Sequence, residues 1–248
     1  MFTFSRNAKT ICPETPVVLL TSYSKEIYHQ IKTSVDDCID YVFCWSNATD
    51  LIIAIIKLFE DSMNAEHDIA MGVQAILLVE DSIRYYSTYL PMLYRMILEQ
   101  NNDSIKEALN EYQQTMRKRA RPKILMATNY EDAVALYDKY KDNLLGVISD
   151  VGFVMHKGEA SSEEKLDAGI NLVRHIRSIT PKMPILMQSS QESMREQADL
   201  LGVGFAKKNS PTLTQEIAEY MGREFGFGDF ILKNPECIEC IIWPNLNR

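Results

Sequence analysis

From residue 73 onward, five short apolar runs alternate with longer amphipathic segments, and this alternation leaves a narrow choice of folds. The runs are Ala75 to Val79, Lys123 to Ala127, Leu144 to Ser149, Pro184 to Gln188 and Gly204 to Lys207. Runs so short and so continuously apolar read as strands buried on both faces, the condition of a parallel sheet covered by helices on each side. Helical periodicity lies between them, over Ile83 to Arg119, Tyr130 to Lys141, Leu166 to Ile179, Gln191 to Leu201 and Thr212 to Met221. The first segment is too long for one crossover, and Pro91 with Gln100-Asn101-Asn102-Asp103 predicts a bend or a break into two helices. The fold class is therefore α/β, a doubly wound five-stranded parallel sheet.

The first 70 residues repeat part of this pattern. Pro16-Val-Val-Leu-Leu-Thr21-Ser22 parallels Pro184-Ile-Leu-Met-Gln-Ser189-Ser190, and Asp40-Tyr-Val-Phe-Cys44 follows as a second apolar run. Asn47 then caps an apolar helix reaching about Met63. This is the last part of the larger unit, two strands where the complete copy has five. At the other end, Phe225 to Lys233 and Cys237 to Trp243, separated by Asn234-Pro235-Glu236, predict a hairpin. The expected organisation is a partial unit over 1–70, a complete domain over 71–222 and a C-terminal extension over 223–248.

Composition narrows the function classes. A formal charge of −8 argues against a protein devoted to nucleic acid. The basic run Arg117-Lys-Arg-Ala-Arg-Pro-Lys123 falls at a predicted helix end, where cations complement the macrodipole, so it reads as a solvated helix terminus. The sequence contains no long uncharged apolar stretch, and no secretory signal heads it, so no membrane contact and a cytoplasmic location are expected. Five scattered cysteines read as reduced thiols. Cys237 and Cys240 alone have ligand spacing, and no second Cys or His pair completes a zinc site. After residue 222 there is no room for a helix-turn-helix module, so a transcription factor is not expected.

In an open parallel sheet, ligands bind beyond the carboxyl ends of the strands. The strand-end residues are Glu80 and Asp81, Asp150, Ser189, and Lys207 with Lys208. Two carboxylates about 4 Å apart repel by roughly 4 kcal/mol at an effective dielectric near 20, so three together call for a cation. Hard oxygen donors without imidazole or thiolate point to Mg2+. An aspartate beside Mg2+ can attack phosphorus, and a lysine can neutralise the oxygens that gain charge. Period-two alternation sends one of Lys207 and Lys208 inward, and Lys208 is preferred.

The motifs Leu77-Leu-Val-Glu80-Asp81-Ser82, Val147-Ile-Ser-Asp150, Pro184-Ile-Leu-Met-Gln-Ser189-Ser190 and Phe205-Ala-Lys-Lys208 resemble those of response-regulator receiver domains. The resemblance implies a flavodoxin-like fold with strand order 2-1-3-4-5. It implies Mg2+ held by Glu80, Asp81, Asp150 and the Gly152 carbonyl, phosphoryl acceptance by Asp150, contact with the phosphoryl group from Ser189 and Lys208, and Phe205 as an aromatic switch. The chain departs from the family in Val151-Gly-Phe-Val after Asp150 and in the charged insertion from Met155 to Lys165. The N-terminal partial unit is similar to a degenerate second receiver, with Thr21-Ser22 at the switch position and Cys44 in place of the lysine. The tandem arrangement also resembles the front of some bacterial phosphoenolpyruvate-synthase-like proteins.

The expectation is a signalling module rather than an enzyme, phosphorylated by a histidine kinase or phosphotransfer protein and acting on a downstream protein. A pseudo-receiver that binds partners without phosphorylation is the alternative. An aspartyl phosphatase usually carries a second acid two residues after the nucleophile, where this chain has Gly152. The unpaired apolar strand Val17 to Leu20 predicts a homodimer.

Overall fold

Strand side chains alternate between two apolar layers, and that alternation organises the whole molecule. The computed structural model describes residues 2–22, 38–45, 49–106, 110–111, 121–157 and 165–225. Phe225, the expected first residue of the hairpin, instead directly follows the last helix and is buried in the core, while the rest of the hairpin and the capping residue Asn47 lie outside these residues. In chain order the elements are α1 (Phe2–Ile11), β1 (Val18–Thr21), β2 (Tyr41–Cys44), α2 (Thr49–Ala70), β3 (Ala75–Val79), α3 (Ile83–Lys106), β4 (Lys123–Ala127), α4 (Tyr130–Tyr140), β5 (Leu144–Asp150), α5 (Ala168–Ile179), β6 (Ile185–Ser189), α6 (Met194–Leu201), β7 (Gly204–Lys207) and α7 (Leu213–Glu224).

Strands β3 to β7 form one parallel sheet in the order β4-β3-β5-β6-β7, the doubly wound, flavodoxin-like arrangement. Ala75, Leu77, Val79, Val147, Ile185 and Met187 face the layer made by α4, α5 and α6. Ile76, Leu78, Ile148, Leu186 and Ala206 face the layer made by α3 and α7. Local signals set the helix ends. Asn129 Oδ1 accepts from the Asp132 amide at 2.9 Å and caps α4, with Glu131 and Asp132 in its first turn. Gly202, at φ 63°, closes α6 in the left-handed region as the Val203 amide donates back to Ala198. No helix among the described residues is long and apolar enough to cross a membrane.

Helix α3 is continuous from Ile83 through Pro91 to Lys106, and the expected division of the segment falls beyond it, for the chain bends at Asn110 and is helical again at Glu111, with 107–109 outside the described residues. An interior proline costs about 3 kcal/mol. Burial of Tyr86, Tyr89, Leu90, Leu93, Tyr94 and Ile97, each contributing about 1.5–3 kcal/mol, outweighs it.

Helix α2 also runs past its expected end near Met63, to Ala70. Its buried face continues through Asp61, Ala65 and Ile69, and the carboxylate at Asp61 hides that continuation from a hydropathy reading. Asp61 is fully buried. Its Oδ2 accepts from Tyr94 Oη at 2.9 Å, Arg121 Nη1 at 3.0 Å and the Ile124 amide at 2.9 Å, and its Oδ1 accepts from Arg121 Nη2 at 2.5 Å. Lys123 Nζ lies 2.6 Å from Asp68 Oδ2. Arg121 and Lys123 are therefore buried partners of α2 and not a solvated helix terminus, which corrects the reading of the basic run. Residues 117–120 lie outside the described residues.

Strands β1 and β2 form a separate parallel pair, with Thr21 opposite Cys44. Phe43 and α2 nevertheless share an apolar cluster with Ile76, Leu78 and Tyr86. The register also corrects the comparison of the two copies. The Trp45 amide donates to Thr21 O at 2.8 Å, as the Lys208 amide donates to Ser189 O at 2.8 Å, so Trp45 and not Cys44 stands at the lysine position.

Candidate functional site: an acidic strand-end pocket

Glu80, Asp150, Gln188 and Lys208 lie in phase on the α3 side of the sheet, since each follows the alternation of its own strand. The register sets Asp150 beside Gln188. Side-chain oxygens of Glu80, Asp81 and Asp150 come within 4.8 Å of one another. Lys208 Nζ sits 2.7 Å from Glu80 Oε2 and also pairs with Asp150 Oδ2. Lys207 points the other way, exposed, 3.5 Å from Glu192 Oε2. Period two therefore selects Lys208 for the pocket.

The Asp150 side chain is fixed at its base. Oδ1 accepts from the Val151 amide at 2.7 Å, and the Gly152 amide also bonds this carboxylate. Gly169 packs against the same strand end. A β-carbon there would lie 2.3 Å from Asp150 O, and its amide donates to Val151 O at 2.8 Å. Glu80 Oε1 accepts from the Ser82 amide at 3.1 Å, so this carboxylate also steadies the entry to α3.

The cavity, about 270 Å3, is lined by Asp81, Ser82, Tyr85, Asp150, Gly152 and Ser189 together with Leu166, Gln191, Met194 and Lys208. Ser189 Oγ accepts from the Gln191 amide at 3.1 Å, so it borders the pocket and caps the following turn at once. Phe205 lies outside the pocket lining, half-buried, with the Arg195 guanidinium 4.7 Å from its ring centre.

Electrostatics mark the pocket as short of positive charge. Burial, reinforced by the Asp150 charge and opposed by Lys208, pushes the Glu80 carboxyl up to about 8. Burial likewise raises Asp150 above the usual carboxylate range, against the pull of Lys208 and the Val151 and Gly152 amides. Burial works against the Lys208 charge, yet Glu80 and Asp150 outweigh it and hold its pKa above the ordinary value. Glu80 Oε2 is buried without a hydrogen bond of good geometry, although Lys208 is in ion-pair range. An all-oxygen donor set of three carboxylates converging at one strand end, two of them disfavoured as anions by burial, suits a divalent cation such as Mg2+.

Tyr85, Tyr89, Gln188 and Asn209 escaped the sequence reading. Lys208 Nζ lies 4.2 Å from the Tyr85 ring centre, and Asn209 Nδ2 donates to Tyr85 Oη at 2.9 Å. Tyr89 Oη and Gln188 Nε2 are buried without hydrogen-bond partners. Burial, then the charges of Glu80 and Asp150, raise the Tyr89 pKa, so its hydroxyl stays protonated. Tyr85 and Tyr89 follow Asp81 by four and eight residues on one helix face, and Gln188 interrupts an apolar strand in phase with Asp150. Those were the available signals.

No protein-family model matches the chain, and no curated protein matches it. Among solved structures it is similar to a response regulator receiver domain protein from Clostridium thermocellum, at 17% identity, with a TM-score of 0.40, over 62% of this chain and 95% of that one. At that score the likeness carries no argument, and the strand order itself defines the fold.

Proposed function

We propose that the chain is a Mg2+-dependent aspartyl phosphoacceptor module of receiver type, with Asp150 as the acceptor. The observation that carries this reading is the convergence of Glu80, Asp81 and Asp150 within 4.8 Å around a buried lysine at the carboxyl end of a parallel sheet. A carboxylate oxygen of Asp150 attacks the phosphorus of the donor, an oxygen–phosphorus bond forms, and the donor's leaving group departs with the electron pair of the bond it loses. The Val151 and Gly152 amides orient the attacking carboxylate. Lys208 neutralises the phosphoryl oxygens, and the Ser189 hydroxyl is placed to bond one of them. Glu80, Asp81, Asp150 and the Gly152 carbonyl are the groups that would hold Mg2+, which supplies charge neutralisation when bound.

The donor in this reading is a histidine kinase or phosphotransfer protein, and the output is a contact with a second protein rather than turnover of a substrate. Phosphorylation draws Ser189 toward the phosphoryl group and lets Phe205 move inward, so the output face is the one formed by β6, β7 and their helices. Beryllofluoride with Mg2+ as phosphoryl mimic should then change amide exchange over residues 189–211. Unchanged exchange in a chain that binds the mimic rules this switch out.

A second reading is a pseudo-receiver that never carries phosphate. It is favoured by the acceptor loop, where Val151-Gly-Phe-Val follows Asp150 and a charged insertion runs from Met155 to Lys165. Acetyl phosphate with Mg2+, followed by peptide mass spectrometry, separates the two. The expected result is a phosphoryl adduct on Asp150 that Asp150→Asn abolishes. No adduct on the wild-type chain supports the pseudo-receiver, and an adduct that survives the substitution identifies another acceptor.

A further inference from the structure

We propose that Tyr85 is the positioning residue for Lys208, and that the N-terminal half-unit serves the acidic site by fixing the helical turn that carries Tyr85. The proposal deepens the phosphoacceptor reading and rests on it for its consequence in phosphoryl transfer.

Lys208 is gripped from two directions. Glu80 and Asp150 hold its ammonium from the sheet, and the Tyr85 ring faces it from α3 at 4.2 Å. The contacts differ in what phosphorylation does to them. Once Asp150 becomes an acyl phosphate, its carboxylate charge is gone and the charge to be met lies on the phosphoryl oxygens, so the carboxylate contact must change. The ring face is uncharged chemistry and stays the same in both states. Cation–π attraction is also strongest where the ammonium is shielded from water, as the buried Lys208 is.

Tyr85 is itself held on three sides. Asn209, the residue after Lys208, donates to its hydroxyl at 2.9 Å, so consecutive residues grip the same tyrosine on face and rim. Asn209 adopts φ 65°, a left-handed conformation that asparagine tolerates better than most residues. Tyr89 stacks under the ring, with centroids 5.9 Å apart and planes at 21°, and blocks an inward swing. The next two residues anchor the turn to β2. Tyr86 Oη donates to Val42 O, the Cys44 amide donates to Ser87 Oγ at 2.9 Å, and Phe43 packs edge-on against Tyr86 at 5.3 Å. The half-unit lacks acidic residues of its own at these strand ends, and its β2 terminus braces the first turns of α3 instead.

The test uses the full chain with Tyr85→Leu, Tyr85→Phe and Asn209→Gly, the last chosen because glycine accepts the positive φ. In the wild type, proton NMR should show the Lys208 ε-methylene shifted upfield by the ring. Tyr85→Phe should keep that shift and Tyr85→Leu should lose it. With acetyl phosphate and Mg2+, Tyr85→Leu should lower the maximal labelling rate about tenfold without moving the Mg2+ concentration at half effect, and Tyr85→Phe should restore most of the rate. Asn209→Gly should give an intermediate loss, and it carries the test if Tyr85→Leu does not fold. Wild-type labelling in a folded Tyr85→Leu chain, or an upfield shift that survives that substitution, overturns the proposal. Loss of the shift in a system where even the wild-type chain is never labelled keeps Tyr85 as the holder of Lys208 and overturns the phosphoacceptor reading.

Discussion

Arg121 meets Asp61 end-on, Nη2 to Oδ1 at 2.5 Å and Nη1 to Oδ2 at 3.0 Å, and both side chains are buried. The pair joins α2 of the N-terminal half-unit to the start of β4, the edge strand of the five-stranded sheet. Removing one partner of a buried ion pair leaves the other uncompensated, at about 3–5 kcal/mol. Asp61→Ala should therefore destabilise the chain by about that amount in urea unfolding. The double variant Asp61→Leu/Arg121→Met should recover more than half of the loss, although Tyr94 Oη and the Ile124 amide still lose their acceptor. A double variant as unstable as the single one would show that those two donors, not the guanidinium, dominate.

Stability and Mg2+ response should share one pH window. Glu80 is raised by burial to about 8, so the metal-free folded state binds a proton there that the unfolded chain has released. The stabilisation is complete below the ordinary glutamate value of about 4.5 and is lost as pH rises through about 8. Asp150, raised for the same first reason, acts in the same sense. Mg2+ binds the ionised carboxylates, so the rise in melting temperature on adding Mg2+ should grow between pH ~6 and ~9. A Mg2+ shift of constant size across that range would exclude Glu80 as a ligand.

Gly169→Ala should damage the site out of proportion to the fold. The added methyl would lie 2.3 Å from Asp150 O and 2.8 and 2.9 Å from Val151 Cα and O, all of them backbone atoms unable to rotate away. Overpacking of this kind costs about 1–3 kcal/mol. The displaced segment is the strand end that aims Asp150, so acetyl-phosphate labelling should fall more than tenfold in chains that remain folded at the assay temperature. Labelling at the wild-type rate in a folded variant would mean that α5 moves and the acceptor does not.

The edge of the small sheet should pair with a second copy. Among the described strands β1 pairs only with β2, and Leu20 on β1 is 41% exposed. We expect a twofold dimer in which the two β1 strands lie antiparallel and make one four-stranded sheet. Light scattering after size exclusion at tens of micromolar should give twice 28.4 kDa, and Leu20→Lys should return the monomer mass. A wild-type chain that elutes as a monomer throughout excludes a stable dimer.

The sheet was legible because its strands are apolar on both faces, and Ala75–Val79, Lys123–Ala127 and Gly204–Lys207 have the expected bounds. Glu80, Asp81, Asp150, Ser189 and Lys208 were legible because strand ends converge in this topology, and all five border or form the pocket. What stayed hidden was polar chemistry on faces that read as something else. Asp61 ended the apolar period of α2, Arg121 and Lys123 passed for a basic helix end, and Tyr85 and Tyr89 lay unremarked within the long helical segment. The comparison of Cys44 with the lysine failed by one residue because hydrogen-bond register, not motif spacing, aligns two parallel pairs.

The Asp61 contact also bears on how such a chain can change over time. Arg121 is costly to retain without its carboxylate, and that carboxylate is supplied by α2, from outside the five-stranded sheet. A substitution at Asp61 is tolerable only after, or together with, one at Arg121, and discarding the first 70 residues would expose the edge strand β4 and strand a buried cation in one event. The N-terminal part is thereby entrenched, because its helix α2 is a dependency of the sheet that follows it.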